Sequence, residues 1–170
     1  RQISGDWAGV LLHWNRNGDV LQRFEGHTDW IRGFYVVSES LLLSWSDDTT
    51  LRLWDRSSGE EVAVLEGHED GVRGGFLLDE NRWLSWSDDA TLRIWDLDKH
   101  VCRTTFEGHG HNIDSVHKLD DNRILSYTRE GFELPCEVKI WDVQTGECLN
   151  TYTGLDEEVV AWFFAEERVF

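Results

Sequence analysis

The chain has 170 residues, 40% of them hydrophobic, with ten Trp, eight Phe and a single Pro, which supports one folded domain with a substantial core and excludes a disordered chain. Its 16 Lys and Arg stand against 33 Asp and Glu, a net charge of −17, which opposes binding to nucleic acid or to an anionic membrane and favours basic protein partners. The same acids also keep strand-rich surfaces soluble and discourage edge pairing. Cys102, Cys136 and Cys148 are odd in number and lack metal-ligand spacing, and no apolar signal segment or membrane-length run is present, so a reducing, cytoplasmic setting is expected.

In chain order, residues 1–25 hold Ile3-Ser4 and then Val10-Leu11-Leu12-His13-Trp14, followed by the hairpin signal Asn17-Gly18 and an edge strand over 20–24. Strands are then predicted at 30–37, 41–46, 50–54 and 61–65. The next set is at 71–78, 81–87, 91–95 and 101–106, and a third at 113–119, 122–127, 138–141 and 148–152. Five extra residues between Tyr127 and Val138 place 128–136 in a protruding loop. A last pair of strands is predicted at 159–164 and 168–170.

These sets are copies of one unit. Ser44-Trp45-Ser46-Asp47-Asp48-Thr49-Thr50-Leu51-Arg52-Leu53-Trp54-Asp55 returns 41 residues later as residues 85–96 with two changes, and Trp14, Trp54, Trp95 and Trp141 are spaced by 40, 41 and 46 residues. Gly26-His27, Gly67-His68 and Gly108-His109 follow the first three of these tryptophans, and Gly154-Leu155 follows the fourth. A Gly-His and a Trp-Asp in each unit of about 41 residues is the signature of a four-stranded propeller blade.

On these residues the chain resembles the WD-repeat (WD40) β-propeller family over essentially its whole length. The fold implied is all-β, a single repeat domain over 1–170 with four blade equivalents. Blades are expected at 26–66, 67–107 and 108–153. A fourth is split, with outer strands in 1–25 and inner strands in 154–170.

The resemblance also implies a hydrogen-bonded chain in each blade: Trp54, Ser44, His27 and Asp48 in one, Trp95, Ser85, His68 and Asp89 in the next. The residue chemistry suits this, because an indole N–H needs an acceptor, a hydroxyl gives and accepts, imidazole relays and a carboxylate ends the series. The third blade keeps Trp141, Ser126 and His109, but its insertion removes a matching Asp. The split blade keeps Trp14 and Ser4. Trp45, Trp86 and Tyr127 stand where the family usually has a small residue, opposite Gly33, Gly74 and Ser115, and are expected to pack into that space.

Family members act as rigid platforms that hold proteins or peptides on the face formed by the turns. The contact positions carried over are Trp30, Arg32 and Asp47, then Gly71, Arg73 and Asp88, then Asn112 and Asp114, with Trp7, Glu158 and Val160 as weaker matches. The expected function is a non-catalytic protein- or peptide-binding scaffold. The alternative is a purely architectural self-assembling module, or part of a longer repeat array. No cofactor is expected, and His109, His111 and His117 lack a companion ligand at metal spacing. A repeated Ser-His-Asp set argues against a unique catalytic triad. Four blades in one ring require about 90° each and eight about 45°, so a head-to-tail homodimer forming an eight-bladed ring is expected.

Overall fold

The computed structural model describes residues 2–5, 8–128 and 136–155. The regular elements of the described part are all strands, arranged as four antiparallel sheets. The first sheet has three described strands, β1 (Gln2–Gly5), β2 (Val10–Trp14) and β3 (Val20–Glu25). The second is β4 (Ile31–Val36), β5 (Leu41–Ser46), β6 (Leu51–Asp55) and β7 (Glu61–Leu65). The third is β8 (Val72–Leu77), β9 (Arg82–Ser87), β10 (Leu92–Asp96) and β11 (Val101–Phe106). The fourth is β12 (Ile113–Lys118), β13 (Arg123–Thr128), β14 (Cys136–Asp142) and β15 (Cys148–Leu155). Each sheet is a simple meander, as hairpin connections between antiparallel neighbours require.

Each sheet presents apolar residues on both faces, and the core forms between sheets. Leu11 and Phe24 of the first meet Ile31, Leu42 and Trp54 of the second. Leu43, Leu51, Leu53 and Leu65 of the second meet Val72, Trp83 and Trp95 of the third. Leu84, Leu92, Ile94 and Phe106 of the third meet Ile113, Val116, Ile124 and Trp141 of the fourth. The alternation along β5 and β6 thus feeds two interfaces rather than one core face and one wet face.

The register shifts at the same places in each copy. Between the third and fourth strands it slips at His13/Trp14, Leu53/Trp54, Ile94/Trp95 and Ile140/Trp141. Between the first and second strands it slips at Ile31/Gly33, Val72/Gly74 and Ile113/Ser115. Such bulges bend a strand and re-aim the side chain of the extra residue. On the inner strands that residue is Arg32, Arg73 or Asp114.

The large aromatics settle into space cleared for them. Gly33 lies opposite Trp45, Gly74 opposite Trp86 and Ser115 opposite Tyr127. A methyl group added at Gly33 would stand 2.7 Å from Trp45 Cε2, and one at Gly74 equally 2.7 Å from Trp86 Cε2. Trp45 then reaches the next sheet, with its ring 5.5 Å from that of Trp83.

Two boundaries differ from expectation around the insertion. Thr128 and Cys136 belong to β13 and β14, with Thr128 paired to Glu137, so the strands run into what reads as loop in the sequence. Only 129–135 remain between them, outside the described residues. Gly154 and Leu155, expected to open the next blade, instead extend β15, where Leu155 pairs with Cys136. The longer β14 offers extra backbone partners, and β15 lengthens to take them. The strands expected at 159–164 and 168–170 lie outside the described residues.

Candidate interaction face

The face is built on three buried hydrogen-bond series. In the second sheet Trp54 Nε1 donates to Ser44 Oγ at 2.8 Å, Ser44 Oγ meets His27 Nε2 at 2.8 Å, and His27 Nδ1 meets Asp48 Oδ2 at 2.8 Å. The ionised Asp48 can only accept, so Nδ1–H donates to it, and with the ring proton there Nε2 accepts from the Ser44 hydroxyl. The third sheet repeats this with Trp95, Ser85, His68 and Asp89, again at 2.8 Å for each contact. Asp48 also accepts from the Thr28 amide at 2.9 Å and from the Thr50 hydroxyl at 2.7 Å. Burial raises the Asp48 pKa, yet the bonds from His27, Thr50 and Thr28 prevail and hold it well below the usual carboxylate range. Asp89 is held down in the same way, against burial, by His68, Glu69 and Thr91.

The fourth sheet corrects the expectation of a missing carboxylate. Trp141 Nε1 donates to Ser126 Oγ at 2.7 Å, His109 Nε2 meets Ser126 Oγ at 2.6 Å, and His109 Nδ1 meets Glu137 Oε2 at 2.6 Å. The acid comes from β14 beyond the insertion instead of from a tight turn, and the longer Glu side chain spans the difference. Its second oxygen pairs with Lys139 Nζ at 3.0 Å. Burial lowers the His109 pKa, outweighing the upward pull of Glu137. The signal for Glu137 in the sequence was slight: an acid three residues before Ile140-Trp141-Asp142. His117, grouped with His109 by sequence, instead stacks on Tyr127 with ring centroids 6.5 Å apart. Among the described residues, no group of three or more His, Cys, Asp or Glu is arranged to hold a metal ion.

These series fix the turns that carry the candidate contact residues. The Asp47 amide donates to the Trp30 carbonyl, and the Asp88 amide to that of Gly71, both at 3.0 Å. Ser46 Oγ and Ser87 Oγ donate to the carbonyls of Asp29 and Asp70 at 3.1 and 2.9 Å. On this frame the bulge residue Arg32 places Nε and Nη2 on the two Asp47 oxygens at 2.6 Å each, a bidentate pair. Its guanidinium also lies 4.1 Å from the centre of the Trp30 ring, which is 37% exposed.

One sheet further on, Arg73 Nε binds Asp88 Oδ2 at 2.6 Å. Asp88 Oδ1 accepts from Asn112 Nδ2 of the next repeat at 3.0 Å. The Arg73 pKa is raised mainly by Asp88, with Asp47 and Asp70 adding to it. Trp30, Arg32 and Asp47 thus form one contact set, and Arg73, Asp88 and Asn112 a second that joins two neighbouring sheets, with the Asp47 charge acting on Arg73 between them. Asp114 shares the bulge position of Arg32 and Arg73 and is exposed on β12. Both guanidiniums are already matched by an Asp, so they serve as oriented donors with neutralised charge rather than as free cations. Trp7, Glu158 and Val160 lie outside the described residues.

The repeat unit now has both its hydrogen-bond series and its bulged four-stranded sheet. The family described as "WD domain, G-beta repeat" matches residues 18–55 and 59–96. The chain carries two repeats of the WD40 family. Among curated proteins it is similar to the ribosome biogenesis protein YTM1 of Eremothecium gossypii, 39% identical over 54 residues, which are 32% of this chain and 12% of that protein. It is also similar to the nuclear distribution protein PAC1 of Gibberella zeae, 42% identical over 45 residues, or 26% of this chain and 10% of that protein. Among solved structures it superposes on the computationally designed Ika8 protein with a TM-score of 0.73 and 26% identity, covering 88% of this chain and 45% of that one. The WD40 β-propeller domain of Doa1 gives a TM-score of 0.70 and 25% identity, covering 89% and 49%. The WD40 chain thus spans less than half of either solved structure, and the matched stretches are a small part of the curated relatives.

Proposed function

We propose that this WD40 chain is a non-catalytic scaffold that binds a protein or peptide, basic in character, on its turn-bearing face, and that it works in the cytoplasm. The observation that carries the reading is the pair of contact sets from Trp30 through Arg32, Asp47, Arg73 and Asp88 to Asn112. It offers an exposed aromatic ring beside oriented guanidiniums, the side chains that dominate interface energetics, on turns held by buried hydrogen bonds. A net charge of −17 steers basic partners toward it. The test is peptide selection from a random library against the chain, followed by affinity measurements. Trp30→Ala and Arg73→Ala should each weaken the selected peptides by about tenfold or more, while Val62→Ala, exposed on β7, leaves them unchanged. Unaltered affinity in both face variants, with native circular dichroism, overturns the reading and favours a purely architectural module.

We also propose that two chains join head to tail as an eight-bladed ring. In that ring each chain supplies four of the eight blades, about 45° apiece.

A further inference from the structure

Three of the four repeat tryptophans are sealed by the sheet before them. Trp54, Trp95 and Trp141 are each 1% exposed. Phe24 lies edge-on to Trp54 at 6.0 Å, Phe106 lies edge-on to Trp141 at 5.7 Å, and Leu65 packs in one cluster with Trp95. Phe24, Leu65 and Phe106 occupy one position of the repeat, two residues before Gly26, Gly67 and Gly108. In the fourth copy that position is Tyr152, two residues before Gly154, and there the side chain is 38% exposed on β15.

The fourth indole is its counterpart. Trp14 Nε1 donates to Ser4 Oγ at 2.9 Å, as its equivalents do to their serines, but Trp14 is only partly buried. Ile3, Ser4, Trp14, Asn15, Arg16 and Gly18 line an open cavity of about 630 Å³ beside it. One chain therefore carries both halves of a contact that it makes internally between other sheets, and carries them in its first and last sheets.

We propose that a second copy of the chain fills this cavity. Tyr152 of one copy packs on Trp14 of the next, repeating between subunits the Phe106–Trp141 contact. This rests on the two-chain ring proposed above and names its junction. The surface is the continuation of an interface already formed inside the chain, and identical chains satisfy it without a foreign partner. A head-to-tail contact of this kind closes when its rotation permits, and a buried aromatic pair is the usual centre of such a junction.

Solution mass by light scattering during size exclusion tests it. The wild-type chain should run at twice its 19.8 kDa. Trp14→Ala and Tyr152→Ala should each weaken self-association by about tenfold or more, and Tyr152→Phe should retain it. Mixing the two alanine variants should restore dimer in part, because one junction of the mixed pair keeps both aromatic partners. Tyr152→Ala alters a partly exposed position, so its result stands even where Trp14→Ala loses structure by circular dichroism. Wild-type association in both alanine variants overturns the Tyr152–Trp14 junction and leaves the ring intact. A monomeric wild type overturns ring and junction together, and the peptide measurements decide the scaffold reading separately.

Discussion

At the scale of single residues, the buried polar series are the positions most sensitive to losing a partner, because a buried donor or acceptor left unpaired is costly. Ser44 is the hinge of its series, since it accepts from Trp54 and donates to His27. Ser44→Ala leaves Trp54 Nε1 and His27 Nε2 buried without that partner, so urea denaturation should show a loss of about 2–6 kcal/mol, from two penalties of about 1–3 kcal/mol. His109 gives a pH signature. Its folded pKa lies below the ordinary 6.5 because burial disfavours the cation. The unfolded chain therefore takes up the proton first as pH falls. The stability contribution is full above about 6.5 and is lost progressively toward the lower folded value. Asp48 and Asp89 are also depressed, so their contribution is full above the ordinary carboxylate pKa and is lost only at more acid pH. Urea midpoints measured between pH 7 and 5 should fall in the wild type and fall less in His109→Gln. An equal slope in both removes His109 as the cause. The Ser, His and Trp of each series were implied by the family resemblance, carried over position by position. Glu137 was not, because its role depends on where β14 brings the chain back after the insertion.

At the scale of strands and sheets, the repeat couples a large side chain on one strand to a missing one on its neighbour. Gly74 faces Trp86, and a methyl group at Gly74 would stand 2.7 Å from Trp86 Cε2 and closer still to the adjoining Cζ2. Gly74→Ala should cost about 1–3 kcal/mol by overpacking, and adding Trp86→Leu should recover part of it. A double-mutant cycle with no coupling would mean that the pair is independent. The bulges work at the same scale. A strand of period two would turn Arg32 or Arg73 toward a neighbouring sheet, whereas the extra residue at Ile31/Gly33 or Val72/Gly74 sends it to the turn face. Alternation in the sequence located these strands, but the slip in register was not visible in it.

At the scale of the whole molecule, every sheet seals the repeat tryptophan of the next except at Trp14. If two chains complete this contact, association and folding are linked and the thermal midpoint rises with concentration. Wild-type midpoints should therefore increase over a hundredfold dilution series read toward higher concentration, and those of Tyr152→Ala should lie lower at each concentration. A concentration-independent wild-type midpoint speaks against the two-chain ring. The acidic surface belongs to this scale too, since a net charge of −17 acts as a long-range field on any charged molecule that approaches.

The family, the all-β class and the members of two complete hydrogen-bond series were determined by the sequence itself, because repetition at about 41 residues imposes the same local chemistry on each copy. Tertiary structure alone decided three things: that Glu137 replaces the absent Asp, that Arg32 and Arg73 are already matched by Asp47 and Asp88, and that Tyr152 and Trp14 are the pair left partly exposed. Each depends on distances between segments separated in the chain. Spacing along the sequence does not encode those distances once a bulge or an insertion has shifted the register.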